Sequence, residues 1–218
     1  MSTPKKKLGF AVCGSFCTHK AALEVMKELR GEYDIVPVFS FNAAQTDTRF
    51  GSSAMMREKT AAICGREPIC TITEAEKLGP TYPLDLMLIC PCTGNTAAKL
   101  SHGITDTPVT MAAKAHLRCS KKLVLALATN DALSGNIENI GRLIQRKNVF
   151  FVPMAQDNIK EKPYSLVADF SLVRKTLEDA RINPEKHADL IVRIGGYSDY
   201  FVKQNPVMQQ EIIDRTEN

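Results

Sequence analysis

The stretch Asp85–Arg118, DLMLICPCTGNTAAKLSHGITDTPVTMAAKAHLR, decides how the chain is read. Leu84 to Cys90 is an apolar run interrupted only by Asp85, the pattern of a strand buried on both faces of a parallel sheet. Pro91-Cys92-Thr93-Gly94-Asn95-Thr96 then supplies two hydroxyls, one side-chain amide and a glycine before Ala97, Ala98, Lys99 and Leu100 open a helix. A loop between a buried strand's carboxyl end and a helix start presents unpaired N–H groups and the positive end of a dipole, which suits a phosphate. The same six residues also read as a plain turn capped by Thr93 or Asn95, and by themselves they favour neither reading.

Outward from this stretch, short apolar runs alternate with helical spacing. Leu8–Cys13 ends in Gly14-Ser15, and Lys20–Leu29 places Ala21, Ala22, Val25, Met26 and Leu29 at helical intervals. Asp34–Phe41 is a second strand, although Pro37 lacks the N–H of a central ladder position. Ser40, at its carboxyl end, falls beside the Gly14-Ser15 turn if the two strands are parallel neighbours, or else closes its own turn. Asn42–Ser53 is a polar loop carrying Arg49. Ala54–Ile63 is helical, Pro68–Ile72 extended and Glu74–Leu78 helical. Thr107-Pro108 starts another helix, on which Lys114 and Arg118 share a face, as an anion-binding pair or as cations complementing the dipole. Lys122–Ala128 and Val149–Val152 are strands; Ile137–Ile144 and Leu166–Leu177 are helical. The pattern predicts one three-layer α/β domain, with parallel strands from Leu8, Asp34, Asp85, Lys122 and Val149 and helices on both faces.

Composition narrows the function classes. The 218 residues fit a single domain, with 1–7 a flexible basic end and about 181–218 a C-terminal arm. That arm suggests no chemistry and reads as subunit packing or an appended extension. The net charge of +4 has no dense basic stripe behind it, which argues against nucleic acid. Seven cysteines include C-x-C and C-x-x-x-C spacings but no C-x-x-C pair, so they are expected to be reduced, buried thiols rather than a metal set. No apolar run approaches a membrane span, and a soluble, cytoplasmic protein without a membrane or metal role is expected.

PCTGNT followed by AAKLSHGITDTPVT resembles the flavin-contacting loop and following helix of the flavoprotein family that includes homo-oligomeric flavin-containing cysteine decarboxylases and flavin prenyltransferases. GITDTPVTMAAKAHLR, with SFNAAQTDTRFG upstream and SLVADF downstream, extends the likeness over about Leu8–Leu177. These strings are similar to a branch of the family that forms one of two subunits of an oxidoreductase in spore-forming bacteria. The resemblance implies a three-layer, Rossmann-like flavoprotein fold with a mostly parallel sheet. It implies FMN held by Gly14, Ser15, Phe16, Ser40, Pro91, Cys92, Thr93, Gly94, Asn95, Thr96 and Thr129.

In the decarboxylases a Pro-x-Met-Asn-x-x-Met signature follows the strand corresponding to Lys122–Ala128; here the aligned residues are Leu127-Ala128-Thr129-Asn130-Asp131-Ala132-Leu133, and only Asn130 agrees. No histidine lies between Val36 and Leu88, so the decarboxylase histidine has no counterpart. His19, His102, His116 and His187 are expected to be ordinary surface or helix residues. The resembled branch oxidises a dihydropyridine dicarboxylate. That implies catalytic roles for Asn130, Arg49 and Arg118, the arginine forks suiting carboxylates. It further implies a dehydrogenase-like partner that carries NAD(P), and a homotrimer or dodecamer. A flavin prenyltransferase, or a non-catalytic companion of that dehydrogenase-like partner, are the alternatives.

Overall fold

Five of the apolar runs become parallel strands in the computed structural model, which describes residues 4–182, 191–194 and 197–200. The chain divides into two units, Met1–Ala180 and Arg181–Asn218. In the first, the elements run β1 (Lys6–Val12), α1 (His19–Leu29), β2 (Tyr33–Phe39), α2 (Phe41–Gln45), α3 (Ser53–Cys64), α4 (Ile72–Ala75), β3 (Leu86–Cys92), α5 (Gly94–His102), α6 (Pro108–Leu117), β4 (Lys122–Thr129), α7 (Ile137–Ile144), β5 (Val149–Phe151), β6 (Met154–Ala155), β7 (Leu166–Ala168) and α8 (Val173–Ile182). The sheet order is β2-β1-β3-β4-β7-β6, with β5 also on β4. The β1–β2, β1–β3, β3–β4 and β4–β5 pairs are all parallel. In this sheet the β4–β7 and β7–β6 pairs are antiparallel.

The alternation of side chains along each strand divides the core into two layers. Leu8, Phe10, Leu86, Leu88 and Val124 face α1, α3 and α8, which contribute Leu23, Met26, Met56, Val173 and Leu177. Ala11, Met87, Ile89, Leu123 and Leu125 face the other way, against Ala75, Leu100, Val109, Ala112 and Ile140 of α4 to α7. Every residue of β3 is buried, which is why its sequence is continuously apolar; fully burying one such Leu, Ile or Met contributes about 1.5–3 kcal/mol.

Several expectations need correcting. The basic end is shorter than 1–7, because Lys6 and Lys7 already pair with Tyr33 and Asp34 and the Lys7 N–H donates to the Asp85 carboxylate at 2.8 Å. Asn42–Ser53 is no structureless loop: Ser40 caps α2, accepting from the Ala43 N–H, and Asp47 accepts from the Ser53 N–H ahead of α3. Leu166–Ala168 is a strand rather than the first turn of a helix, since it completes the sheet beside Ala128 and Thr129. β3 runs through Pro91 and Cys92; the Cys90–Pro91 peptide is cis and the β3–β4 register slips between Ile89 and Cys92.

Pro37 fits because β2 is an edge strand. Its carbonyl accepts from the Ile69 N–H at 2.9 Å and the Phe39 N–H donates to the Ile69 carbonyl at 2.8 Å. The missing N–H of Pro37 therefore points away from β1.

In the second unit, β8 (Ile191–Ile194) and β9 (Tyr197–Tyr200) pair antiparallel, with Ile191 opposite Tyr200 and Ile194 opposite Tyr197.

Candidate functional site

Because β2, β1, β3 and β4 are parallel neighbours, the segments leaving their carboxyl ends collect along one edge. The chain reverses its direction of sheet growth at β1, adding β2 on one side and β3 on the other, so a crevice opens between the loops after β1 and β3. Gly14, Ser15 and Phe16 stand on one side of it and Thr93–Thr96 on the other. The Cys13 N–H donates to the Pro91 carbonyl at 3.2 Å, and the Thr96 hydroxyl donates to the Cys13 sulfur at 3.3 Å. The Ser40 N–H donates to the Val12 carbonyl at 3.0 Å, bringing the start of α2 to the same edge. A Cβ at Gly14 would lie 3.2 Å from Asn42 Cβ, so the turn after β1 is closely fitted against α2.

The polar groups of this edge fall into two sets. Ser40 and Thr93 are committed: each accepts from the third N–H of its helix, in keeping with the capping reading, and Thr93 also shares a 3.0 Å hydrogen bond with the Thr96 hydroxyl. Ser15 caps nothing, and its hydroxyl has only the Cys17 sulfur at 3.9 Å. Asn95 and Asn130 are exposed. The first N–H groups of α5, at Gly94 and Asn95, lack intrahelical acceptors as at any helix start.

Gly94 is the tightest point. A Cβ there would come within 2.5 Å of the Thr129 hydroxyl, 2.6 Å of the Asn136 amide and 2.9 Å of an Asp131 carboxylate oxygen. Asp131 is held in place by the Thr129 hydroxyl and by the Asn136 amide at 2.7 Å. The Asp131–Asn136 pair is invisible in the sequence, where the acid simply follows a strand end. The close backbone approach at a glycine is its one available signal.

Burial disfavours the thiolate form of the buried cysteines. Burial pushes the Cys13 thiol up to about 11, and raises Cys90 and Cys92 further in the same direction. All seven cysteines are free, but Cys17 is exposed and Cys70 and Cys119 are only partly covered, so burial is not common to the set. Among the described residues no His, Cys, Asp and Glu cluster could hold a metal, and no helix is long and apolar enough to cross a membrane.

The three expected catalytic residues separate. Asn130 lies at the carboxyl edge, directly after β4. Arg49 is exposed, 4.9 Å from the Phe50 ring, in a turn closed between Thr48 and Gly51. That turn borders a small cleft of roughly 150 Å³ lined by Phe16, His19, Leu23, Phe50, Met56 and Lys59 among others. Phe16 joins this cleft to the crevice. Arg118 ends α6 at the opposite edge of the sheet, where His116 Nε2 meets the Lys122 carbonyl at 2.8 Å. Eight residues of β4 separate the two edges, roughly 23 Å at 3.3 Å per residue. Of the two places expected for the histidines, surface or helix, His116 takes the helix: it lies in α6 and is 1% exposed.

A model of the Flavoprotein family matches residues 1–172. The chain belongs to the Flavoprotein family. Within it, the B subunit of dipicolinate synthase from Bacillus subtilis (strain 168) is 42% identical over 192 residues, 88% of this chain and 96% of that protein. The crystal structure of the same dipicolinate synthase component from Bacillus halodurans C matches with a TM-score of 0.75 and 40% identity, over 83% of this chain and 93% of that one. The FMN-dependent cysteine decarboxylase SpaF is 25% identical with a TM-score of 0.59, over 80% of this chain and 97% of that one.

A second likeness begins where the first ends. A model described as Glycine radical matches residues 168–202. The 4-hydroxyphenylacetate decarboxylase glycyl radical subunit of Clostridium scatologenes is 44% identical over 43 residues, 20% of this chain and 5% of that protein. This likeness reaches residues 181–202 of the C-terminal arm, which suggests no chemistry from its residues alone. The two family matches overlap at residues 168–172, just ahead of α8, whose Val173, Leu177 and Ala180 are fully buried.

Proposed function

We propose that the first unit is the FMN-binding B subunit of a dipicolinate synthase, which oxidises dihydrodipicolinate to dipicolinate together with a dehydrogenase-like A subunit carrying NAD(P). The observation that carries this reading is the β1/β3 crevice with donors still to be satisfied: the Ser15 hydroxyl, the Asn95 amide and the first N–H groups of α5. These suit the phosphate and ribityl hydroxyls of FMN, and the glycines at 14 and 94 let α2 and the segment after β4 pack closely about the crevice. FMN when bound supplies a two-electron acceptor.

In this reading Ser15 and Asn95 hold the phosphate end. Phe16 and Thr129 border the ring end, and Asn130 offers an amide to substrate there. Arg49, at the cleft beyond Phe16, offers its fork to a substrate carboxylate. The protein forms homo-oligomers in the cytoplasm of a sporulating cell. The test is the visible spectrum of the purified chain, followed by titration of FMN into Ser15→Ala and Asn95→Ala variants. Each lost hydrogen bond to a charged group should weaken binding by about 1.5–3 kcal/mol. Reduction of the bound flavin on adding dihydrodipicolinate without the dehydrogenase-like partner would place electron acceptance on this chain. Wild-type FMN affinity in both variants would remove the two residues from the site.

We also infer a second, separable role: the segment matched at residues 168–202 is a glycine-radical module appended to the flavoprotein unit. The match of the family model carries this reading.

A further inference from the structure

We propose that the small cleft beyond Phe16 seats the substrate, a planar six-membered ring with two carboxylates, and that Lys20 and Lys59 hold one carboxylate while Arg49 holds the other. The assignment rests on the dipicolinate synthase reading just given and adds the second set of cations to it. Residues of α1, α2, the Thr48–Gly51 turn and α3 line the cleft. At roughly 150 Å³ it matches a cavity that takes one benzene-sized ring and is too small for a dinucleotide. Phe16, Leu23, Phe50 and Met56 supply apolar walls. Phe50 and Met55 remain 52% and 38% exposed, apolar surface that a bound ring would cover. Thr48 and Gly51 exchange backbone hydrogen bonds of 3.0 and 3.1 Å, so the turn that carries Arg49 is held in shape before any ligand arrives.

The charge of the lining is one-sided. Among the described lining residues are Lys20, Lys59 and His19, and no Asp or Glu. His19 adds no charge at neutral pH, because its Nε2 meets the Cys13 carbonyl at 2.8 Å and burial holds it below 6.5. Neither lysine has an ion-pair partner among the described residues. The acids nearest in sequence are committed elsewhere or face away. Glu24, four residues after Lys20 on α1, bonds Lys27 at 2.8 Å. On α3 the positions three and four from Lys59 are Met56, Met55, Ala62 and Ile63, none of them acidic. Asp47 accepts from the Ser53 N–H at 2.8 Å and from the Ser53 hydroxyl at 3.0 Å. Two uncompensated ammonium groups beside an apolar hollow favour an anion with an apolar body. The Arg49 guanidinium lies 4.9 Å from the centre of the Phe50 ring, on a side chain that itself lines the cleft. A ring with carboxylates on both sides of its nitrogen carries two separate charges, which calls for two cation sets on different elements: the helices α1 and α3 for one, the turn for the other.

Dipicolinate and pyridine-2-carboxylate, which has one carboxylate fewer, are titrated calorimetrically into the FMN-loaded full chain at fixed pH and salt. Wild type should bind the diacid about tenfold more tightly than the monoacid, as expected for one further charge-assisted contact. Lys20→Ala/Lys59→Ala, at two exposed positions, should weaken the diacid about tenfold, to the level of the monoacid. Lys20→Arg/Lys59→Arg should restore most of the preference, and FMN affinity by fluorescence quenching should match wild type in both double variants. An undiminished preference for the diacid in the alanine variant overturns the assignment; reduction of its flavin by dihydrodipicolinate as in wild type then leaves the dipicolinate synthase reading standing. Loss of FMN together with the diacid assigns the lysines to the cofactor and also overturns it. So does a wild-type chain that binds the two acids equally or binds neither. A wild-type flavin that dihydrodipicolinate never reduces, with or without the dehydrogenase-like partner, defeats the dipicolinate synthase reading and the assignment with it.

Discussion

Gly94→Ala tests the geometry of the carboxyl edge most directly. The added methyl would lie 2.5 Å from the Thr129 hydroxyl, 2.6 Å from the Asn136 amide and 2.9 Å from Asp131, inside van der Waals contact on three sides. None of the three is free to retreat, because Thr129 and Asn136 both donate to the Asp131 carboxylate. Overpacking costs about 1–3 kcal/mol, and losing one hydrogen bond to the carboxylate adds roughly 1.5–3 kcal/mol. Alanine's advantage over glycine in a helix returns about 0.5–1 kcal/mol. The net destabilisation is about 3 kcal/mol, which in a chain of this size lowers Tm by roughly 6–12 °C.

Gly141→Ala is the matched control. Its Cβ would meet nothing within 4 Å in α7, so the same substitution there should raise stability by about 0.5–1 kcal/mol. Urea denaturation and calorimetry on the pair give both signs. Equal stability of the two variants would refute the packing at Gly94, and with it the tight union of the β3 and β4 loops.

Thr93→Ala removes the cap of α5 and should cost about 1 kcal/mol of stability, measured by urea denaturation; an unchanged midpoint would mean that another group caps the helix. Burial lowers the pKa of His116 and of His19 below 6.5, and a proton on His116 Nδ1 would find no acceptor. The unfolded chain therefore binds protons that the folded one refuses: stability is full above pH 6.5 and is lost as the pH falls toward the folded values, so urea midpoints should drop between pH 7.5 and 5.5, and flat midpoints would contradict the buried neutral rings. Arg118→Ala should leave FMN affinity unchanged by fluorescence quenching, given its place at the far edge. Arg49→Ala should lose about 2–4 kcal/mol in apparent kcat/KM with the dehydrogenase-like partner present, and wild-type turnover would put the carboxylates elsewhere.

How much of this is legible in the sequence depends on whether the signal is local. A strand buried on both faces must be apolar throughout, so β3 and β4 stand out, and Thr107-Pro108 announces α6 because a cap and a first-turn proline act within a few residues. Ser40 beside Gly14 follows from parallel pairing alone. The end of β3 is hidden because Pro91 reads as a stop, yet the strand continues through it. α2 escapes notice because five residues held by one serine cap carry too little periodicity to detect. Arg118 shares a helix face with Lys114 in the sequence, and a face gives no information about which end of a strand the helix reaches. Asp131 and Asn136 meet Gly94 only after the sheet has formed.

The Ile69 contact along β2 has a consequence for self-association. An unprotected outer strand offers a ladder of unused donors and acceptors to any other chain in extended conformation. Here the Pro37 carbonyl and the Phe39 N–H are already taken by Ile69, and Pro37 has no donor to offer. A second molecule cannot extend the sheet past β2 without first displacing residue 69. Over the Pro37–Phe39 part of β2, copies of the chain are steered away from open-ended stacking of sheets.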